Sequence, residues 1–210
     1  MAHLLADEFF LLAHHDVTGR PRLHPRAVGL GLASAVVGEL VTTGAVTVSS
    51  GHMWVVDPGA PGDPLGRSVL GLLLDEPAHT AVRTWLAVLS ERAHRHVARR
   101  LVAAGVLRAE QSRRLMRTRT VYVPVDMNTA AWPWARLSMR LRRLEPLDEA
   151  DLFLAGLATQ TGLDTYLLDG ADPEVGQHLA VLLHQMRPTF RDLLVHTGAA
   201  VGNAVLSGRA

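Results

Sequence analysis

Pro25 to Thr43, PRAVGLGLASAVVGELVTT, is small or branched apolar on nearly every side, with Arg26 and Glu39 its only charges. A helix that is apolar all round belongs in a core, and Pro25 suits a first helical position. Only eleven uncharged residues run from Val28 to Gly38 before Glu39, Thr42 and Thr43 intervene. That is short of the roughly 20 apolar residues a spanning helix needs, so any membrane contact is expected to be peripheral. Within the stretch, Gly29-Leu-Gly31 imitates the start of a dinucleotide fingerprint. Ser34 replaces its third glycine and no strand precedes it, so close helix packing is the expectation.

Outward from this helix, Leu4, Leu5, Glu8, Leu11 and Leu12 recur at helical spacing until the turn Asp16-Val-Thr-Gly-Arg20. Val46 and Val48, then Met53 and Val55, flank Ser49-Ser50-Gly51 as a short hairpin. Residues 57–64 form a Pro/Gly-rich loop. Helical patterning resumes at Val82, Trp85, Leu86 and Leu89, and again at Val97, Leu101 and Val102, up to Gly105 as a C′ residue. Thr118 to Asp126 reads as one strand, held to an edge by Pro124. Helices are expected from Pro133 to Leu144, Leu147 to Gln160, Pro173 to Met186 and Arg187 to Leu206. The expected fold is mostly α, a single compact helical domain over residues 1–210 with one or two small β-hairpins.

The 210 residues include no cysteine, which excludes disulfides, thiol catalysis and cysteine-ligated zinc. Lysine is absent as well, and the Ala, Leu, Val, Gly and Arg-rich composition fits GC-rich coding, as in a bacterium. The opening Met-Ala-His-Leu-Leu-Ala-Asp-Glu lacks the basic region of a secretory signal, so a cytoplasmic location is expected.

The formal net charge of +1 hides a split. Thirteen arginines and two acids lie between Arg92 and Arg143, giving +11, whereas the rest of the chain carries −10. Such asymmetry points to an anionic partner. Arg113-Arg114-Leu115-Met116-Arg117-Thr118-Arg119 sets two apolar side chains among four cations, a pattern suited to a shallow membrane-contacting tip. Arg92, Arg95 and Arg99 follow i, i+3, i+7 spacing and project from one helical face, where guanidinium groups could meet a phosphorylated head group or simply face solvent. Trp132 and Trp134 stand beside Arg136, Arg140, Arg142 and Arg143; core or subunit contact is expected for at least one of them. His14-His15-Asp16 and His94-Arg-His96 cluster titratable groups without nominating further ligands for a metal. No nucleophile, base and acid converge, so a non-enzymatic protein without cofactor is expected.

The ordered set Leu4-Leu5-Ala-Asp-Glu8-Phe-Phe-Leu11-Leu12 with Asp16 and Gly19, Gly38-Glu39-Leu40 with Gly44-Ala-Val-Thr-Val48, Ala60-Pro-Gly-Asp63, Trp85-Leu86 with Leu89-Ser90, and Leu101-Val102 with Gly105-Val106-Leu107 resembles the Golgi phosphoprotein 3 family over about the first 110 residues. The resemblance implies a helical domain that binds phosphatidylinositol 4-phosphate at a membrane surface. In eukaryotic members it also implies binding of glycosyltransferase cytoplasmic tails and self-association. The family's bilayer-dipping apolar loop falls on Arg113 to Arg119. Its two phosphate-gripping arginines fall on Glu91 and His94, its ligand-contacting tryptophan on His24, and its arginine in the next helix on Ala33. All four positions depart from the pattern, with Arg92 and Arg95 one residue beyond the first two. The expected head-group set is therefore His24, Arg92, His94, Arg95 and Arg99.

The functional expectation is a peripheral adaptor on an anionic phospholipid surface, with cytoplasmic tails of membrane proteins and further copies of the chain as additional partners. The alternative is a nucleic-acid-binding protein using the same arginines to track phosphates. Few aromatics are available to stack bases, and no binding motif is recognisable.

Overall fold

The computed structural model describes residues 4–60, 62–114 and 117–206, with side chains described outside 112–119 and 205–206. Among the described residues the elements run α1 (Leu5–Ala13), α2 (Pro25–Thr42), β1 (Val46–Ser49), β2 (His52–Val55), α3 (Pro64–Asp75), α4 (Val82–Ala103), β3 (Leu107–Arg114), β4 (Arg117–Pro124), α5 (Met127–Arg142), α6 (Glu149–Thr161), α7 (Asp164–Leu167), α8 (Pro173–Gln185) and α9 (Pro188–Leu206). The fold is mostly α with two small antiparallel hairpins, as the sequence predicts.

Helix α2 is the axis of the core, buried from Ala27 through Val41 and packed by α1, α3, α4, α6 and α9. Its glycines permit this crowding. A Cβ on Gly31 would lie 2.3 Å from the Phe9 ring of α1, and one on Gly29 would lie 2.8 Å from the Ser90 carbonyl of α4. The glycine-rich stretch is thus a helix-packing surface.

Helix α1 has no side-chain cap of its own; instead its Ala6 N–H donates to Glu39 Oε1 at 2.8 Å. The acid that interrupts the apolar run of α2 therefore stabilises the positive end of a neighbouring helix. At β1–β2, Ser50 and Gly51 have φ of 51° and 77°, the pair of positive values a tight two-residue hairpin turn requires. Helix α4 ends at Ala104, followed by Gly105 at φ 74°, in the C′ role expected for it.

Several boundaries differ from expectation. Helix α3, missed in the sequence, begins at Asp63, whose carboxylate accepts from the N–H groups of Gly66 (2.8 Å) and Leu65 (3.2 Å). The two stretches of helical pattern from 82 to 105 form one continuous helix, α4. The strand expected after Thr118 has a partner in β3, whose Arg108, Glu110 and Gln111 give no apolar alternation to read. Helix α5 starts at Met127 because Asp126 accepts from Thr129 N–H at 2.8 Å, leaving Pro133 inside the helix instead of at its start. Trp134 takes the expected core contact, donating to the Tyr166 carbonyl at 3.1 Å, whereas Trp132 is exposed.

Candidate functional site

The thirteen arginines from Arg92 to Arg143 sort into three groups. Six have partners in the protein, three of them (Arg100, Arg136 and Arg140) half-buried between helices and three (Arg108, Arg142 and Arg143) exposed. Arg100 of α4 donates to Asp7 of α1 (2.8 Å), Asp63 at the start of α3 (2.8 Å) and Glu39 of α2 (3.1 and 3.3 Å). Arg136 of α5 grips Glu8 of α1 through two bonds of 2.8 and 2.7 Å and also reaches Asp151 of α6. Arg140 meets Asp151 at 2.8 Å, Arg143 pairs with Glu145, Arg108 pairs with Glu110, and Arg142 donates to the carbonyls of Asp169 and Gly170.

Electrostatics follow this geometry. Burial opposes the Arg100 charge, but Glu39, Asp7 and Asp63 together outweigh it, so its pKa is raised. Burial likewise pushes the Glu39 carboxyl up, against the pull of Arg100. For Asp63, burial would raise the pKa, but hydrogen bonds from Arg100 and the N–H groups of Gly66 and Leu65 hold it below the ordinary value. The adjacent acids Asp7 and Glu8 thus each anchor a guanidinium from a different helix. These arginines tie helices together, and the segment's +11 is not one exposed surface.

Arg92, Arg95 and Arg99 form the second group. All three are exposed on α4, and no carboxylate pairs with them among the described residues. His96 reports their shared field: its pKa is lowered by burial and then by Arg95, Arg99 and Arg92. Beside them, a cleft of about 320 Å³ lies between α2, α3 and α4. Ala33, Val36, Val69 and Leu89 line it as buried residues, while Leu72, Val88, Glu91 and Arg92 are exposed around it and His96 is half-buried. Two positions singled out by the sequence comparison, Ala33 and Glu91, therefore share one cleft with Arg92.

His94 does not join this cluster. One residue along a helix is a rotation of about 100°, and that separates it from Arg95. His94 Nε2 lies 3.2 Å from His14 Nε2, and its ring packs with Phe10 and Tyr122. His14 Nδ1 is 2.7 Å from the Phe10 carbonyl and so carries the proton there. Burial is the main cause that lowers the His14 pKa to about 4, with His94 and Arg22 adding to it. At neutral pH His14 Nε2 is therefore an acceptor, and His94 is its donor. His94 thus packs against His14 and Phe10 of the α1 region and against Tyr122 of β4. Gly19 at φ 64° packs so closely on β4 that a Cβ would sit 1.9 Å from the Tyr122 carbonyl oxygen.

The third group is the hairpin end. Backbone pairing runs out through Ser112↔Arg119, Arg113↔Thr118 and Arg114↔Arg117, so four arginines belong to the last three rungs of β3–β4. Leu115 and Met116 lie outside the described residues, as do the side chains of Arg113, Arg114, Arg117 and Arg119.

His24, the remaining expected head-group residue, is exposed and accepts from Arg26 N–H at the start of α2. A broader groove of about 820 Å³ opens beside it, between Pro25, Arg26 and Gly29 of α2, Arg83 and Glu91 of α4, and Asn203 of α9. Sequence reasoning missed the cleft because α3, which supplies Leu65, Val69 and Leu72, was unassigned. The Asp63-Pro64 pair, a helix-start signal, could have found it.

Among the described residues no three His, Asp or Glu side chains are grouped to hold a metal ion, and no helix is long and apolar enough to cross a membrane. No curated protein matches the chain. The family model for Golgi phosphoprotein 3 (GPP34) matches residues 5–204, from the start of α1 into α9, and the chain accordingly belongs to the Golgi phosphoprotein 3 family.

Proposed function

We propose that this protein is a non-catalytic peripheral membrane adaptor that docks on anionic phospholipid surfaces through two arginine groups, the α4 face and the β3–β4 hairpin end. The observation that carries the reading is Arg92, Arg95 and Arg99, exposed and without a carboxylate partner among the described residues while Arg100, Arg136 and Arg140 are held by carboxylates of other helices. Membership in the Golgi phosphoprotein 3 family is consistent with a lipid-binding adaptor.

Each arginine near an anionic leaflet contributes about 1 kcal/mol. Burying Leu115 and Met116 in lipid would add ~1.5–3 kcal/mol each. The sum, reduced by immobilisation, suits reversible docking and not permanent insertion. Head-group choice follows from arrangement: Glu91 and Ala33 contribute no cation, so the expected preference is for anionic charge in general over one phosphoinositide.

Co-sedimentation with vesicles of phosphatidylcholine, alone or mixed with phosphatidylserine or phosphatidylinositol 4-phosphate, tests the reading. Binding should need anionic lipid, weaken with salt, and fall when Leu115→Ser and Met116→Ser are combined. Equal binding to neutral vesicles, or none to anionic ones alongside a strong DNA gel shift at matched salt, would replace it with the nucleic-acid reading or remove it.

A further inference from the structure

The geometry points to the cleft between α3 and α4 as a seat for one acyl chain of an anionic phospholipid, whose phosphate is met at the cleft mouth by Arg92. This deepens, and rests on, the membrane-docking reading, because the bilayer is the source of the chain.

The argument begins with what lines the cleft. Val36 and Val69 are buried at its floor, and the open cleft has a volume of about 320 Å³, near the lower end of ordinary small-molecule sites. The mouth is apolar as well: Leu72 on α3 is 46% exposed and Val88 on α4 is 50% exposed. Two large aliphatic side chains left half in water on facing helices, above an apolar floor, favour a hydrocarbon occupant.

Charge selects which hydrocarbon. Within the lining Arg92 and Glu91 balance in charge, and Arg95 and Arg99, which follow Arg92 along α4 outside the cleft, make its surroundings net positive. His96, also in the lining, has its pKa lowered first by burial and then by Arg95, Arg99 and Arg92. An apolar cavity with unpaired guanidinium at its mouth complements an amphiphile whose polar end is a phosphate, since Arg–phosphate pairs are charge-assisted and directional. A neutral chain would use the floor but leave Arg92 unmatched. A bare phosphate would use Arg92 but leave the floor and Leu72 and Val88 in water.

The test uses the full chain and decyl phosphate below its micelle-forming concentration, with inorganic phosphate and decanol as the two half-ligands. Calorimetry gives affinity, and NMR of the Leu and Val methyls gives location. Decyl phosphate should bind saturably and shift the Leu72 and Val88 methyls, at least tenfold tighter than either half-ligand. Val88→Trp, which fills the mouth from an exposed position, and Arg92→Ser should each weaken it at least tenfold while keeping the parent's thermal midpoint. Absence of saturable binding, inorganic phosphate binding as tightly as decyl phosphate, or a folded Val88→Trp variant binding like the parent would overturn the assignment. Anionic vesicles form the separate arm. Vesicle docking without decyl phosphate binding sinks the acyl seat alone; decyl phosphate binding without vesicle docking sinks the membrane reading and the bilayer as the source of the chain.

Discussion

Arg99 and Arg100 are neighbours on α4, yet one is exposed and the other is bound by three carboxylates from three other segments. The same contrast separates Arg92 and Arg95 from Arg136 and Arg140. Residue type and local charge density are the same in both sets; what differs is whether the fold brings Asp7, Glu8, Glu39, Asp63 or Asp151 to meet them. Within one arginine-rich segment, Arg100, Arg136 and Arg140 therefore join helices, whereas Arg92, Arg95 and Arg99 are left without a carboxylate among the described residues. Only the second set can carry docking.

The largest effect should come from the internal set. Arg100→Ala leaves Asp7, Glu39 and Asp63 facing one another without their cation, and removing one partner of a buried ion pair costs about 3–5 kcal/mol. Chemical denaturation should show a loss of that size. A loss below about 1 kcal/mol, the range of surface pairs, would erase the distinction between the two sets.

His14 sharpens the comparison through pH. Its folded value, about 4, lies below the ordinary 6.5, so on acidification the unfolded chain takes up this proton first. The His14 contribution is therefore complete above about pH 6.5 and is lost progressively as pH falls toward 4, amounting to about 3 kcal/mol. The stability difference between the parent and a His14→Phe variant, followed from pH 7.5 to pH 4, should narrow over that window. A flat difference would contradict the neutral His14–His94 bond.

Substitutions in the outer set should do the reverse of Arg100→Ala. Arg92→Ser, Arg95→Ser or Arg99→Ser should each change folding stability by no more than about 0.5 kcal/mol, as exposed sites do. Each should cost about 1 kcal/mol of binding to phosphatidylserine-containing vesicles. Salt gives a related check: raising ionic strength screens exposed charges within about 10 Å at 0.1 M but affects buried pairs much less. Vesicle binding should fall with salt while the denaturation midpoint moves little.

Much of the fold is legible in the sequence, for identifiable reasons. The apolar stretch of α2, the Ser50-Gly51 turn and Gly105 after α4 each have one physically sensible conformation, and each adopts it. The polar strand β3 has no alternating pattern to detect, and the start of α5 is hidden because Asp126 caps a helix that then tolerates Pro133 in its interior. At the site, the exposure of Arg92, Arg95 and Arg99 follows from helical spacing alone. The inward turn of His94 does not, because it depends on His14, eighty positions away, and on Tyr122 of the hairpin. Nor could local spacing show that Arg100 and Arg136 are consumed by the acids of α1, since those pairings span 93 and 128 positions.

The central claim is that the unpaired arginines of α4 bind an anionic bilayer, and the most direct measurement is the partition coefficient of the Arg92→Ser/Arg95→Ser/Arg99→Ser variant on phosphatidylcholine–phosphatidylserine vesicles beside that of the parent. With about 1 kcal/mol for each arginine, binding should weaken on the order of 100-fold while the thermal midpoint stays in place. A variant that folds normally and binds these vesicles as tightly as the parent would contradict the account.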